Sequence, residues 1–135
     1  MRTIVGVTFE VIGKRLFSFS LEGAYYDMLA ELNNNNRTVP SCLYADNDTI
    51  AIGACRALKE HGYKIPEDVS IIGMDDIPFA SAYSPALTTV RVQKEIIGQL
   101  AVTQLLALLD NNDVYRNVKT RLMGELVVRG SVNTI

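Results

Sequence analysis

Two clusters of small polar residues carry whatever chemistry this chain performs: Asp46-Asn47-Asp48 and Asp75-Asp76. Each directly follows a short apolar run, Cys42–Ala45 and Val69–Gly73. Paired carboxylates could act as general acid and base, hold a cation, or accept hydrogen bonds from a ligand's hydroxyls. A catalytic pair must face one substrate from two sides. Asp75 and Asp76 are sequence neighbours whose carboxylates are expected to point apart. The one histidine, His61, falls at the end of a helical pattern, where capping or dipole compensation is its expected role. There is no G-x-S-x-G elbow, Cys/His pairing or phosphate-cradling glycine loop. No catalytic residue, metal ligand or cofactor is assigned; binding is the expected chemistry.

The elements that must position these groups alternate. Ile4–Phe9 and Val11–Phe17 read as extended runs broken near Gly13. Leu21, Ala24, Tyr25, Met28, Leu29 and Leu32 recur at helical spacing from Ser20. The Asn33–Asn36 run reads as a solvated loop, because each side chain competes for backbone hydrogen bonds. A second helix over Thr49–His61 ends at Gly62. Leu87–Val92 and Glu125–Arg129 read as strands, and Glu95–Leu109 as an amphipathic helix striped with Ile97, Ala101, Leu105 and Leu108. The tail Ser131–Ile135 is expected to be loose. The alternation implies an α/β, three-layer fold with a mainly parallel sheet, helices on both faces and right-handed crossovers. In such sheets all carboxyl ends share one rim, the usual ligand site. Phe19-Ser20 and both polar clusters should converge there. Asp48 and Asp76 are then expected to cap helices, leaving Asn47 and Asp75, with Phe19, for a ligand rich in hydroxyls or ring nitrogens.

Composition narrows the classes. The chain has 135 residues, is 48% hydrophobic and 21% charged, and has a net charge of -2, which suits one ordinary globular domain. No basic block suggests contact with nucleic acid. No apolar run reaches the roughly 20 residues of a membrane span, and the N-terminus shows no signal-peptide pattern. Cys42, in a predicted buried strand, and Cys55, in a helix, fit neither a zinc set nor a disulfide framework, and read as core residues in a reducing compartment.

From Ser18 to Val132 the chain resembles the LacI/GalR family of bacterial transcription regulators. The resemblance rests on Asn47-Asp48, Ala51-Ile52-Gly53, the Ile65–Ser70 turn, Gly73 with Asp75-Asp76, Leu87–Val90 and Leu126–Ser131. Residues 1–17 match poorly, and Met74 stands where an aromatic is usual. What the resemblance implies is the C-terminal lobe of a type I periplasmic-binding-protein-like effector domain, part of a two-lobe fold. Residues 1–90 would be that lobe, 91–122 would cross to an absent N-terminal lobe, and 123–135 would be the return strand and tail. Phe19, Asn47 and Asp75 would line the effector cleft, for a sugar or a purine-like molecule. Ile52 and Tyr83 would pack across a dimer interface. The implied setting is cytoplasmic, with operator DNA bound through a domain lacking here. Without its lobe, helix Glu95–Leu109 is expected to dock on the remaining sheet or swap into a partner, giving a dimer or larger oligomer. A periplasmic sugar-binding protein of a transporter is the alternative. A phosphoacceptor receiver fits less well: its acidic pair follows the first strand, and here no lysine follows Leu87–Val92 before Lys94.

Overall fold

The computed structural model describes residues 2–4, 7–9, 16–34, 38–110 and 118–133. In chain order these form β1 (Arg2–Ile4), β2 (Val7–Phe9), α1 (Leu21–Leu32), β3 (Cys42–Tyr44), α2 (Asp48–Glu60), β4 (Ser70–Met74), α3 (Pro78–Ala82), β5 (Thr88–Arg91), α4 (Lys94–Leu109) and β6 (Glu125–Val127). The first two strands pair antiparallel as a separate sheet. Most of the expected Val11–Phe17 strand lies outside the described residues. The main sheet runs β3-β4-β5-β6. Its first three strands are parallel, and β6 returns antiparallel to β5, so the sheet is mixed.

Local chemistry sets the helix ends. Ser20 is extended, and its hydroxyl accepts from Gly23 N at 3.0 Å, which starts α1. Gly62 takes φ +86° and terminates α2, with His61 Nδ1 3.2 Å from the Ala57 carbonyl oxygen. Nearly every residue from Ile50 to Leu58 is buried, Arg56 excepted, so α2 is the central helix and not a surface one. Gly53 permits this: a Cβ there would sit 2.5 Å from the Leu21 carbonyl oxygen, so α1 can lie against α2 only over a glycine. Ile52, Leu58, Val69, Ile71 and Leu87 fill the core beneath. Each contributes about 1.5–3 kcal/mol relative to exposure.

The strands show which side of the sheet this core covers. Along β4, Ile71 and Gly73 are buried, while Ser70, Ile72 and Met74 are half-exposed. Register aligns Cys42 with Ser70, Tyr44 with Ile72, and Met74 with Val90, on the second face. There Cys42 is exposed and Tyr44 is 60% exposed. The expectation of a buried Cys42 is therefore corrected: among the described residues, the core around α2 lies on one face of β4 and leaves Cys42 and Tyr44 exposed on the other.

Two other expectations change. Helix α4 buries no residue, and Leu105, Leu106 and Leu109 are all more than half exposed. It does not dock on the sheet, and its apolar residues ring the helix instead of forming one stripe. A cavity of about 480 Å³ separates Ile97, Leu100 and Ala101 from Met74, Val90 and Leu122. The tail, conversely, is not loose through Asn133. Ser131 is fully buried, its hydroxyl donating to Ile71 O at 2.6 Å and accepting from Thr88 N at 2.8 Å. Its carbonyl accepts from Ile71 N, and Asn133 N donates to Ser70 Oγ, so the segment wedges between β4 and β5.

Candidate functional site

At the carboxyl rim, the first polar cluster divides differently from expectation. Asn47, not Asp48, caps α2: it is extended, and its Oδ1 accepts from Ile50 N at 2.7 Å. Asp48 begins the helix itself, and its side chain turns inward to complete burial. Its Oδ2 accepts from Ile77 N at 2.8 Å and its Oδ1 from the Thr89 hydroxyl at 2.5 Å. Gly73 makes room for it, since a Cβ there would lie 2.3 Å from Asp48 Oδ1 and 3.2 Å from Asp48 Cα. The helix start also favours a carboxylate electrostatically. Asp48 is thus an internal anchor for the turn after β4. Asn47 still offers its amide NH2 group, which has no partner among the described residues.

That turn holds the second cluster. Asp75 has φ 110° and Asp76 φ 50°, a left-handed backbone that costs non-glycine residues about 1–3 kcal/mol each. The surroundings hold it in place. Asp75 N donates to Val90 O at 2.9 Å, and Asp76 N to Thr89 Oγ1 at 3.4 Å. The Asp76 carboxylate receives Arg91 Nε at 2.7 Å and Arg129 Nη2 at 2.6 Å. It does not cap α3, whose start uses Pro78 after Ile77 with no side-chain cap. Burial pushes the Asp76 carboxyl up, but the hydrogen bonds and charges of Arg129 and Arg91 outweigh it and leave the group below the usual aspartate value. Asp76 is fully engaged and not available as a catalytic partner for Asp75.

Asp75 is the contrasting member. Its carboxylate is half-buried and has no hydrogen-bond or ion-pair partner among the described residues. Across the neighbouring strand, Tyr44 donates its hydroxyl to Met74 Sδ at 3.4 Å. Burial raises the Tyr44 phenol, and the charges of Asp46 and Asp75 raise it further. Phe19 is held by its neighbours, Ser18 N donating to Asp27 Oδ2 at 2.7 Å and Ser20 capping α1, while its own ring is 79% exposed. The structure therefore brings Asn47, Asp75 and Tyr44 to adjoining strand ends and leaves Phe19 in solvent. Tyr44 went unrecognised in the sequence, and Asp46 was read only as a member of its polar cluster. Alternation along β3 was the available signal for Tyr44.

Of the two residues expected at a subunit interface, Ile52 is 1% exposed, its side chain enclosed within the core, and offers no surface. Tyr83 is half-buried, its ring edge-on to Phe79 with centroids 6.2 Å apart and Lys59 Nζ 5.6 Å from its centre. Burial lifts the Tyr83 phenol to about 12. Arg56 and Glu60 stand near it, Arg56 lying 4.4 Å over the Tyr25 ring, and Glu60 accepting from both Arg56 and the Tyr25 hydroxyl. This aromatic and ionic face is open, with Phe79 and Tyr26 at least half exposed. Among the described residues, no cluster of histidine, cysteine or carboxylate side chains could hold a metal, and no helix is long and apolar enough to cross a membrane.

Comparison with known proteins gives this arrangement a context. The profile of the periplasmic binding protein-like domain matches residues 10–132, beginning earlier than the resemblance read from the sequence. The HTH-type transcriptional repressor PurR of Haemophilus influenzae is 37% identical over 125 residues, covering 87% of this chain. The match spans only 37% of that repressor's length. A LacI family transcriptional regulator from Arthrobacter sp. FB24, solved in complex with lactose, superposes with a TM-score of 0.72 at 32% identity, over 87% of this chain and 43% of that one. The lac repressor dimer bound to operator and the anti-inducer ONPF gives 0.76 at 29% identity, over 87% and 40%.

Proposed function

Because the chain belongs to the LacI family of transcriptional regulators, through its periplasmic-binding-protein-like domain, we propose that it forms one wall of a cleft sensing a small polar effector. These relatives are repressors and not enzymes, and the family excludes the phosphoreceiver alternative. The observation that carries the reading is the contrast between the two aspartates: Asp76 is paired on both oxygens, while Asp75 stands half-buried and uncommitted beside it. A carboxylate accepts from two hydroxyls at once, and the Asn47 NH2 group supplies the complementary donors. Phe19, exposed but with its backbone neighbours held, would close over a sugar ring or purine face. The effector class is therefore a sugar or a purine-like molecule. Within a longer regulator, residues 1–90 would be the sensing lobe, 91–122 the crossing segment and 123–135 the return. DNA would be bound by a domain outside this chain, in the cytoplasm.

Partners follow from the two open apolar faces. Tyr83, Phe79 and the Arg56–Tyr25 pair form a surface suited to a second copy of the chain, and aromatic and arginine side chains are enriched at such interfaces. Exchange of the uncovered α4 is the other route to an oligomer.

The test is NMR titration of the chain with lactose, D-galactose and adenine. Binding in the millimolar range is expected, since an opposing wall would supply much of a two-lobed cleft's affinity. Shifts should gather at Tyr44, Asn47 and Asp75 and vanish in Asp75→Asn. Absence of any response, or a response unchanged in that variant, would remove the reading.

A further inference from the structure

Asp76 occupies an unusual junction. Arg91 is the last residue of β5, and it faces Glu125 of β6 in register, its Nη1 donating to Glu125 Oε2 at 3.1 Å. Arg129 follows β6, and its guanidinium reaches back, Nη1 donating to Leu87 O at 2.8 Å while Nη2 holds Asp76. One carboxylate thus ties the turn after β4 to β5, from which α4 departs, and to the segment after β6. The Asp76 and Arg129 side chains are 10% and 16% exposed. Ion pairs so withdrawn from water add little net stability, because desolvation offsets attraction, but a two-armed pair fixes geometry firmly.

We propose that Asp76 is a positioning residue: its clamp on Arg91 and Arg129 fixes the left-handed Asp75-Asp76 turn and so sets where the Asp75 carboxylate stands relative to the β5–β6 ribbon. Asp75 has no side-chain partner of its own among the described residues, so its place depends on its backbone. That backbone is held by Val90 O at Asp75 N, and by Thr89 and Asp48 at the two residues after it. Those contacts act on amides and fix the depth of the turn. Among the described residues, only the clamp acts on the side chain of Asp76, and it joins the turn after β4 to β5 and to Arg129. The importance of this for sensing rests on the reading of Asp75 as a ligand contact; the positioning itself does not.

The two are separable by experiment on the isotopically labelled chain without ligand. Asp76→Asn keeps the shape of the side chain and removes its charge; Arg91→Gln, at a half-exposed side chain, is the milder second variant. In both, the Asp75 carboxyl carbon and amide resonances should move, and amide exchange at Asp75 and Asp76 should quicken ten-fold or more in Asp76→Asn. Protection at Leu58 and Ile71 should hold, which separates a local change from general loosening. Asp75→Asn should leave the Arg91 and Arg129 side-chain resonances in place. Unmoved Asp75 resonances in both clamp variants would overturn the proposal, as would equal exchange gains at Leu58 and Ile71. Should Asp75 move as stated yet lactose, D-galactose and adenine bind without it, the positioning stands and the ligand reading alone falls.

Discussion

Asp48 and Thr89 meet through a 2.5 Å hydrogen bond, hydroxyl to carboxylate, with both side chains buried. The pair joins the start of α2 to the middle of β5, and the same carboxylate holds Ile77 N. One acidic residue therefore pins the helix, the neighbouring strand and the rim turn together.

Removing it should be expensive. Asp48→Ala strands a buried hydroxyl and a half-buried amide, at about 1–3 kcal/mol for the hydroxyl and less for the amide. Asp48→Asn keeps one acceptor and should lose less. Urea midpoints should fall in the order wild type, Asn, Ala; an Ala variant as stable as wild type would refute the anchor role.

Gly73→Ala and Gly98→Ala form a contrasting pair. A Cβ at Gly73 meets Asp48 Oδ1 at 2.3 Å, and that carboxylate is too well held to yield, so a loss of about 1–3 kcal/mol is expected. At Gly98, on exposed α4, nothing lies within 4 Å, and alanine should stabilise the helix by roughly 0.5–1 kcal/mol. Thermal melts of the two variants should move in opposite directions.

Acid should act through depressed carboxyls. Asp76 is lowered by Arg129 and Arg91 against the opposing effect of its burial, Asp27 chiefly by the Ser18 amide, and Glu60 by the Tyr25 hydroxyl and then Arg56. A carboxyl lowered in the folded state binds fewer protons there than when unfolded, so its stabilisation is complete above the ordinary value. For Asp76 that value is 3.8, and stability is lost as pH falls through the folded one. Asp76→Asn should flatten the acid limb of the stability curve. An identical limb in that variant would show that Asp76 does not titrate in this range.

The thiols should separate cleanly. Burial pushes Cys55 to about 12, and its residue is 1% exposed, whereas Cys42 is exposed. A disulfide reagent at neutral pH should modify one cysteine in the folded chain and both in denaturant. Rapid modification of Cys55 in the native state would contradict the packing of α2.

Oligomerisation offers two faces to test. Phe79→Glu should shift the mass measured by light scattering toward the monomer if the Tyr83 face pairs, and Leu105→Glu should do so if α4 is exchanged. A monomeric wild-type chain would remove both routes.

Much of this was legible in the order of residues. Ser20, Gly62 and Pro78 mark element ends through chemistry confined to a few neighbours, and the structure uses each in that way. The polar clusters lie after β3 and β4 as alternation implied. Their division was not legible. Whether Asn47 or Asp48 caps α2 turns on a helix starting one residue earlier, and pattern alone does not resolve element ends that finely. The role of Asp76 depends on Arg129, fifty-three residues away, and that of Asp48 on Thr89, forty-one away. Ile52, which the family resemblance implies at a subunit interface, is enclosed in the core, on the helix that α1 lies against. The apolar residues of α4 satisfied a stripe while also occupying the rest of the helix, so spacing implied a buried side that does not exist among the described residues.

The Ser131 wedge has a consequence for how the chain is made. The Ile71 backbone finds both its Ser131 partners sixty residues downstream, and Thr88 waits forty-three for the same hydroxyl. During synthesis the sheet's two central strands will have left the ribosome long before the segment that closes them. Until residue 131 emerges, the nascent lobe has a seam of unmet hydrogen-bonding groups between β4 and β5, so a segment made well after both strands completes their junction.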